Sequence, residues 1–152
     1  MGRIKEAFYR EAIAEYTKRL SKYCKLEILE VADEKTPDNA SVGEESTIRE
    51  KEALRILRMI KEDAYVISLE IGGKKLDSVA FARQMEVLGI QGKSHLVFII
   101  GGSLGLHKMI SERANMALSF SDMTFPHQLM RVILLEQIYR GFRITAGEPY
   151  HK

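Results

Sequence analysis

The sequence predicts an α/β domain built on a mostly parallel sheet with helices on both faces. Three observations carry that reading. Short apolar runs rich in β-branched residues alternate with longer stretches of helical periodicity, the order that βαβ units produce. The run Leu96-Val97-Phe98-Ile99-Ile100 is apolar at every position, which suits a strand buried on both faces in the middle of a parallel sheet. A chain of 152 residues, 45% hydrophobic and 29% charged, is large enough to bury a core of its own, so a single domain over residues 1–152 is expected.

The elements follow from periodicity and punctuation. Ile4, Phe8, Ala12, Tyr16 and Leu20 recur every four positions and form one stripe of a first helix. Leu26-Glu27-Ile28-Leu29-Glu30-Val31 is short, partly β-branched and bounded by polar residues, which predicts a strand. Residues 32–45 hold Pro37, Asp38, Asn39 and Gly43 and are expected to form a surface loop. A charged helix follows to about Ile60, with Leu54, Ile56, Leu57 and Ile60 as its apolar positions. A second strand runs from Tyr65 to Ile71 and stops at Gly72-Gly73; a helix opens at Asp77 or Ser78 and stops at Gly89. The third strand is Leu96–Ile100, followed by Gly101-Gly102 and a helix from about Leu106 to Ala114. Ala117–Phe120 reads as a short fourth strand. The last helix opens at Thr124-Phe125-Pro126, with proline near its first turn, and runs to about Phe142.

Composition narrows the function classes. The formal net charge of +2 permits an RNA partner without demanding one. A single cysteine, Cys24, makes an internal disulfide impossible and suits a reducing compartment, with the thiol packed rather than reactive. The longest apolar runs, such as Val132–Leu135, fall far short of the roughly 20 residues of a membrane span. Met1-Gly2-Arg3-Ile4-Lys5-Glu6 lacks the apolar core of a signal peptide, so a cytoplasmic protein is expected. His95, His107, His127 and His151 are scattered without the close pairing of metal ligands, and no metal is expected.

In open α/β sheets, ligands bind beyond the carboxyl ends of the strands. Those ends carry Gly72-Gly73, the turn Gly101-Gly102-Ser103-Leu104-Gly105-Leu106 and the stretch Ser119–Phe125. Glycine lets the backbone turn sharply and lets a ligand approach peptide groups closely. The turn is neither a dinucleotide fingerprint nor a phosphate loop, since no Gly-Lys-Ser/Thr follows it. The last helix places Leu129, Met130, Val132, Ile133, Leu134, Leu135 and Ile138 on more than one face, as a central core helix or a helix shared with a second subunit would. Arg131, Arg140 and Arg143, with Tyr150, His151 and Lys152 in the tail, offer cations and an aromatic ring. That chemistry holds phosphates and stacks on bases, though charges at a chain end are more often merely solvated.

Three blocks are more specific. Phe98–Leu106 (FIIGGSLGL), Leu118–Arg131 (LSFSDMTFPHQLMR) and Glu136–Arg140 (EQIYR), with the ending Pro149-Tyr150-His151-Lys152, closely resemble the RlmH family in order and spacing over nearly the whole chain. That family comprises the pseudouridine N3-methyltransferases of large-subunit ribosomal RNA. The resemblance implies the SPOUT fold with a C-terminal trefoil knot, and a homodimer whose last helix packs across subunits. It also implies an S-adenosylmethionine site at Leu69, Gly101 and Phe120, Ser121, Asp122, Met123, Thr124 and Phe125. Chains of the family begin with a strand running into a Gly-Lys turn. Here Met1-Gly2-Arg3 begins at that turn, so the family's first strand is expected to be missing.

The reaction this implies is transfer of the sulfonium methyl to N3 of the base, in which the cofactor supplies the electrophile and the protein supplies orientation and electrostatics. N3 must lose a proton, and His151, Tyr150 and Arg140 are the candidates for assisting it. The family's chain end would close over the cofactor. Two other readings compete: a non-enzymatic RNA-binding or ribosome-assembly module, and a nucleotide-binding hydrolase, which the absent phosphate-loop lysine disfavours.

Overall fold

A parallel ladder organises the first part of the structure, a computed structural model that describes residues 4–150. In chain order the elements are α1 (Ala7–Leu20), α2 (Val42–Met59), β1 (Tyr65–Lys75), α3 (Ser78–Ile90), β2 (Leu96–Ile99), α4 (Lys108–Arg113), β3 (Met116–Ser119) and α5 (His127–Thr145). The chain divides into two compact units. One comprises Glu30–Lys74 and His95–His127; the other comprises Ile4–Leu29, Lys75–Ser94 and the chain from Gln128 onward.

The first unit holds a parallel three-strand sheet in the order β2-β1-β3. β1 and β2 pair with Tyr65 opposite Leu96 and Ser68 opposite Ile99. On the other side of β1, Asn115 donates its N–H to the Val66 carbonyl at 2.8 Å and accepts the Val66 N–H at its side-chain oxygen, also at 2.8 Å. The central strand is therefore β1, buried at Val66, Ile67 and Ser68. The expectation that Leu96–Ile100 lies in the middle is corrected: β2 is an edge strand, half-buried at Leu96, Val97 and Phe98. Its unbroken apolarity reflects cover over the sheet faces, which an edge strand can share.

The core of this unit joins Val31, Ala53, Ile56, Ala64, Val66, Ile99 and Ile110, with Leu57, Val97 and Leu106 packed against it. Burying a valine, leucine or isoleucine side chain contributes about 1.5–3 kcal/mol. α2 supplies two of these residues and packs against α4. It starts earlier than loop composition suggested. Ser41 accepts from the Glu44 N–H while the Glu44 carboxylate accepts from the Ser41 N–H, a capping box that sets Val42 as the first helical residue.

The strand expected at Leu26–Val31 is not formed, and this is a correction. Residues 24–37 form no regular element, and their consecutive apolar pair stays open, Leu29 being 51% exposed. Side chains fasten the stretch instead. Val31 is buried, the Glu52 carboxylate accepts the Glu34 N–H at 3.0 Å, and Arg55 donates to the Ala32 carbonyl at 3.2 Å and pairs with Glu34. Burial raises the Glu52 carboxyl above its usual range, and the neighbouring charges of Asp33 and Glu34 push the same way against the Glu34 N–H bond.

In the second unit, Leu20, Phe81, Ala82, Leu88, Leu134, Leu135 and Ile138 are buried. Asp77 caps α3 by accepting the Ala80 N–H at 2.7 Å, and Ser78 donates to the Gln137 side chain at 2.7 Å. α5 approaches α3 at Gly141, where an added Cβ would meet the end of Met85 and lie 3.6 Å from the Ala82 Cα. The predicted stripe of α1 is buried fully only at Leu20; Phe8 is 61% exposed.

β1 runs past Gly72-Gly73, which sequence alone placed as its end, because Gly73 lies against the backbone of β3. A Cβ there would sit 2.7 Å from the Leu118 N and C atoms. Backbone cannot yield as a flexible side chain does. Gly73→Ala should destabilise the chain by about 1–3 kcal/mol, read as a lower urea midpoint at unchanged slope. An unchanged midpoint would mean that β1 and β3 separate easily at this point.

Candidate active site

The ladder between β1 and β2 ends at Ser68 opposite Ile99. Continuing the parallel register brings Leu69 level with Ile100 and next to Gly101. β3 ends at Ser119, immediately before Phe120. The sheet thus places Leu69, Gly101 and Phe120–Phe125 of the first unit at the carboxyl ends of three neighbouring paired segments. Leu69 is not after its strand, as the shorter reading of β1 had it, but within it, just beyond the last pair with β2.

Two turns shape this edge. The first is closed by an isolated bridge between Gly102 and Gly105, with the Gly105 N–H donating to the Gly102 carbonyl at 3.1 Å. Gly105 has φ +78°, a left-handed conformation that glycine adopts without strain. Gly101 is tightly fitted. An added Cβ would meet the Gly105 carbonyl carbon at 3.0 Å and the Leu106 Cγ at 3.2 Å, so the restriction comes from the turn's own backbone. Leu106 anchors the turn in the core, and Arg49 reaches the Leu104 carbonyl at 3.5 Å. The second turn is built by Ser121. Its hydroxyl accepts the Met123 N–H at 3.0 Å, and its carbonyl accepts the Ser119 hydroxyl at 3.2 Å. Asp122, Met123 and Thr124 are exposed, while Phe120, Ser121 and Phe125 are half-buried. Beside these turns, Glu70 accepts from the buried Ser68 at 2.6 Å and from Ser111 of α4 at 2.9 Å.

The other candidate residues belong to the second unit. Glu136 on α5 accepts from Arg140 Nε at 3.0 Å and Nη2 at 2.8 Å, and from the Tyr150 hydroxyl at 3.2 Å, all at one oxygen. Its second oxygen accepts from Gln137 at 2.7 Å. The Arg140 guanidinium lies 4.7 Å from the Tyr150 ring centre, and Tyr139 meets that ring edge-on at 5.0 Å. One turn further along, Arg143 pairs with Glu148 and donates to the Pro149 carbonyl at 3.4 Å, while Tyr23 donates to Glu148 at 2.7 Å. Burial raises the Tyr150 phenol above its usual range, with the Glu136 charge adding to it, so the hydroxyl stays a donor.

Residues 1–151 match a family described as "Predicted SPOUT methyltransferase". The chain belongs to the SPOUT methyltransferase family. "Ribosomal RNA large subunit methyltransferase H" of Clostridium beijerinckii is 59% identical over all 152 residues, covering 96% of that relative. The protein of the same description from Bifidobacterium adolescentis is 60% identical over the same length and share.

Within this SPOUT chain, Leu69 and Gly101 follow the last β1–β2 pair and Phe120–Phe125 follow β3. The structure joins Arg140 to Tyr150 in a separate cluster, and His151 lies outside the described residues. Arg140 and Arg143 of α5 each pair with a carboxylate, Glu136 and Glu148. Sequence reasoning missed Glu136, Glu148 and Glu70. Glu136 and Arg140 stand four apart on a helix, a spacing that could have signalled the pair. Tyr23 and Glu148 are 125 positions apart and carry no local signal. Among the described residues no group of three His, Cys, Asp or Glu could hold a metal ion, and no helix is long and apolar enough to cross a membrane. Burial raises the Cys24 thiol above its ordinary value, which favours its protonated form.

The Tyr23 hydroxyl holds the Glu148 carboxyl below its ordinary value of 4.5, with Arg143 and Lys22 assisting. A lowered folded-state value means stability that is complete above the unfolded value and is lost as pH falls through the folded one. Amides near Glu148 should therefore lose protection below pH 4.5. Tyr23→Phe should move that midpoint upward, as followed by the carboxyl carbon shift of Glu148. The same midpoint in both proteins would remove Tyr23 as the cause.

Proposed function

We propose that this chain transfers the methyl group of S-adenosylmethionine to N3 of a pseudouridine in large-subunit (23S) ribosomal RNA, acting in the cytoplasm on assembled ribosomes as a homodimer. The observation that carries this reading is identity of 59–60% over the full chain with relatives described as large-subunit ribosomal RNA methyltransferases. We read residues 1–152 as a single domain, a reading supported by a family match that runs over residues 1–151. Membership of the SPOUT class implies a trefoil knot in the C-terminal part. On α5, Leu129, Met130, Val132 and Ile133 are only half-buried, and a partner subunit would complete their cover.

The sheet edge fits the cofactor's chemistry. S-adenosylmethionine carries no phosphate, and the turn at 101–106 has no lysine of a phosphate loop. Leu69, Phe120 and Phe125 offer apolar surface to the adenine and thioether. The Gly101 turn and the segment Ser121, Asp122, Met123 and Thr124 offer peptide groups and polar side chains to the amino acid and ribose. When bound, the cofactor supplies an electrophilic methyl group. The protein's task is then to hold the base in line and help N3 lose its proton. Tyr150 and His151 are the groups proposed for that task. Arg140, engaged by Glu136, acts by holding the ring of Tyr150.

Mass spectrometry of ribosomal RNA from cells with and without the gene tests the reaction. The expected result is one methylated pseudouridine of the large subunit that disappears with the gene; unchanged RNA would overturn the reading. Calorimetry with S-adenosylmethionine separates it from a pure RNA-binding module, which would release no heat. Gly101→Val should abolish that heat, because the side chain would push the turn off the Gly105 backbone. Full affinity in the variant would take the turn out of the site.

A further inference from the structure

We propose that Glu136 is a positioning residue for methyl transfer: it latches the C-terminal tail to α5 and so fixes where Tyr150 stands. The inference rests on the reading of the tail as part of the reaction site. Its own evidence is geometric. One carboxylate oxygen gathers three donors, Arg140 Nε, Arg140 Nη2 and the Tyr150 hydroxyl, at 3.0, 2.8 and 3.2 Å. The other oxygen is taken by Gln137, which is itself fixed by Ser78 at the start of α3. Rotation of the carboxylate would break bonds at both oxygens, so its direction is set before Tyr150 arrives.

The latch has a second layer. Arg140 is drawn to Glu136 through two nitrogens, and the same guanidinium covers the Tyr150 ring at 4.7 Å. Tyr139 closes the ring's edge at 5.0 Å. The Glu136 and Arg140 side chains are only 19% and 25% exposed, so water competes weakly for these bonds. Charge-assisted bonds of this kind are about twice as strong as neutral ones. Between α5 and Tyr150 the chain turns through Gly147, whose φ of +66° suits glycine, and through Pro149. Those residues offer the tail no apolar anchor. Arg143 and Tyr23 hold the tail at Glu148 and Pro149, and Glu136 is the carboxylate that takes the Tyr150 hydroxyl itself.

The test uses the full-length protein with Glu136→Ala and Glu136→Gln. Amide exchange of residues 146–150 reads the latch directly. Single-turnover methyl transfer to ribosomal RNA reads its consequence. Calorimetry with S-adenosylmethionine and thermal unfolding report on the cofactor turns and the fold. In Glu136→Ala, tail exchange should speed up and transfer should slow roughly 10- to 100-fold, the scale of a displaced reacting group. Cofactor affinity should stay within about threefold, since the turns are untouched. Glu136→Gln keeps an acceptor for Tyr150 and should recover part of the rate. Unchanged tail exchange in both variants overturns the latch, whatever the enzyme's activity. A loosened tail with transfer at the full rate overturns the positioning role. Wild-type protein that methylates no ribosomal RNA contradicts the proposed function instead, and the exchange measurement still decides the latch.

Discussion

The short parallel ladder between β1 and β2 fixes most of what matters in the first unit. Four residue pairs, from Tyr65 with Leu96 to Ser68 with Ile99, set the register. A parallel pair cannot slip by one residue without turning every side chain to the opposite face. Val66 and Ile99 hold the register by contributing to one buried core. Where the ladder stops, the chains part: β1 continues, while β2 gives way to a glycine turn anchored by Leu106. Leu69 and Gly101 follow that stopping point by one and two residues. The site's geometry is thus inherited from core packing a few residues upstream, and the exposed turns need supply only local closure.

The second unit reaches order by other means. Its tail lacks an apolar pattern, and ordering a backbone costs about 1–2 kcal/mol per residue. Two carboxylates offset that cost. Glu136 on α5 and Glu148 beyond its end each engage an arginine of α5 and a tyrosine hydroxyl, and the rings of Tyr23, Tyr139, Phe142 and Tyr150 form one contiguous group. Exposed ion pairs are weak individually, but shared acceptors between stacked rings exclude water and raise their worth.

Much of this was legible in the sequence. The α/β alternation, the turn at 101–106 and the position of α5 follow from periodicity and punctuation, and the family blocks pointed to the family that the chain belongs to. The misses have physical causes. Leu26–Val31 has strand composition, yet a strand also needs a ladder, and nothing local reveals its absence. Leu96–Ile100 looks like a central strand because composition reports cover over the faces and not neighbours on both sides. Helix α2 was shortened by attention to loop residues, although Ser41 and Glu44 carry the capping signal. The Glu136–Arg140 pair was readable from its four-residue spacing, whereas the contact of both with Tyr150 appears only once the chain has turned back on α5.

Glu52 and Glu148 illustrate one further property of the chain. Glu52 has its carboxyl raised by burial, so the folded form of its unit gains protons more readily than the unfolded chain. Glu148 has its carboxyl lowered by Tyr23, so folding of its unit releases them. Proton uptake and release accompany one folding event with opposite sign. A calorimetric or titration curve for the whole protein adds the two, and each masks part of the other. Only probes placed in a single unit can resolve how acidity is felt on either side.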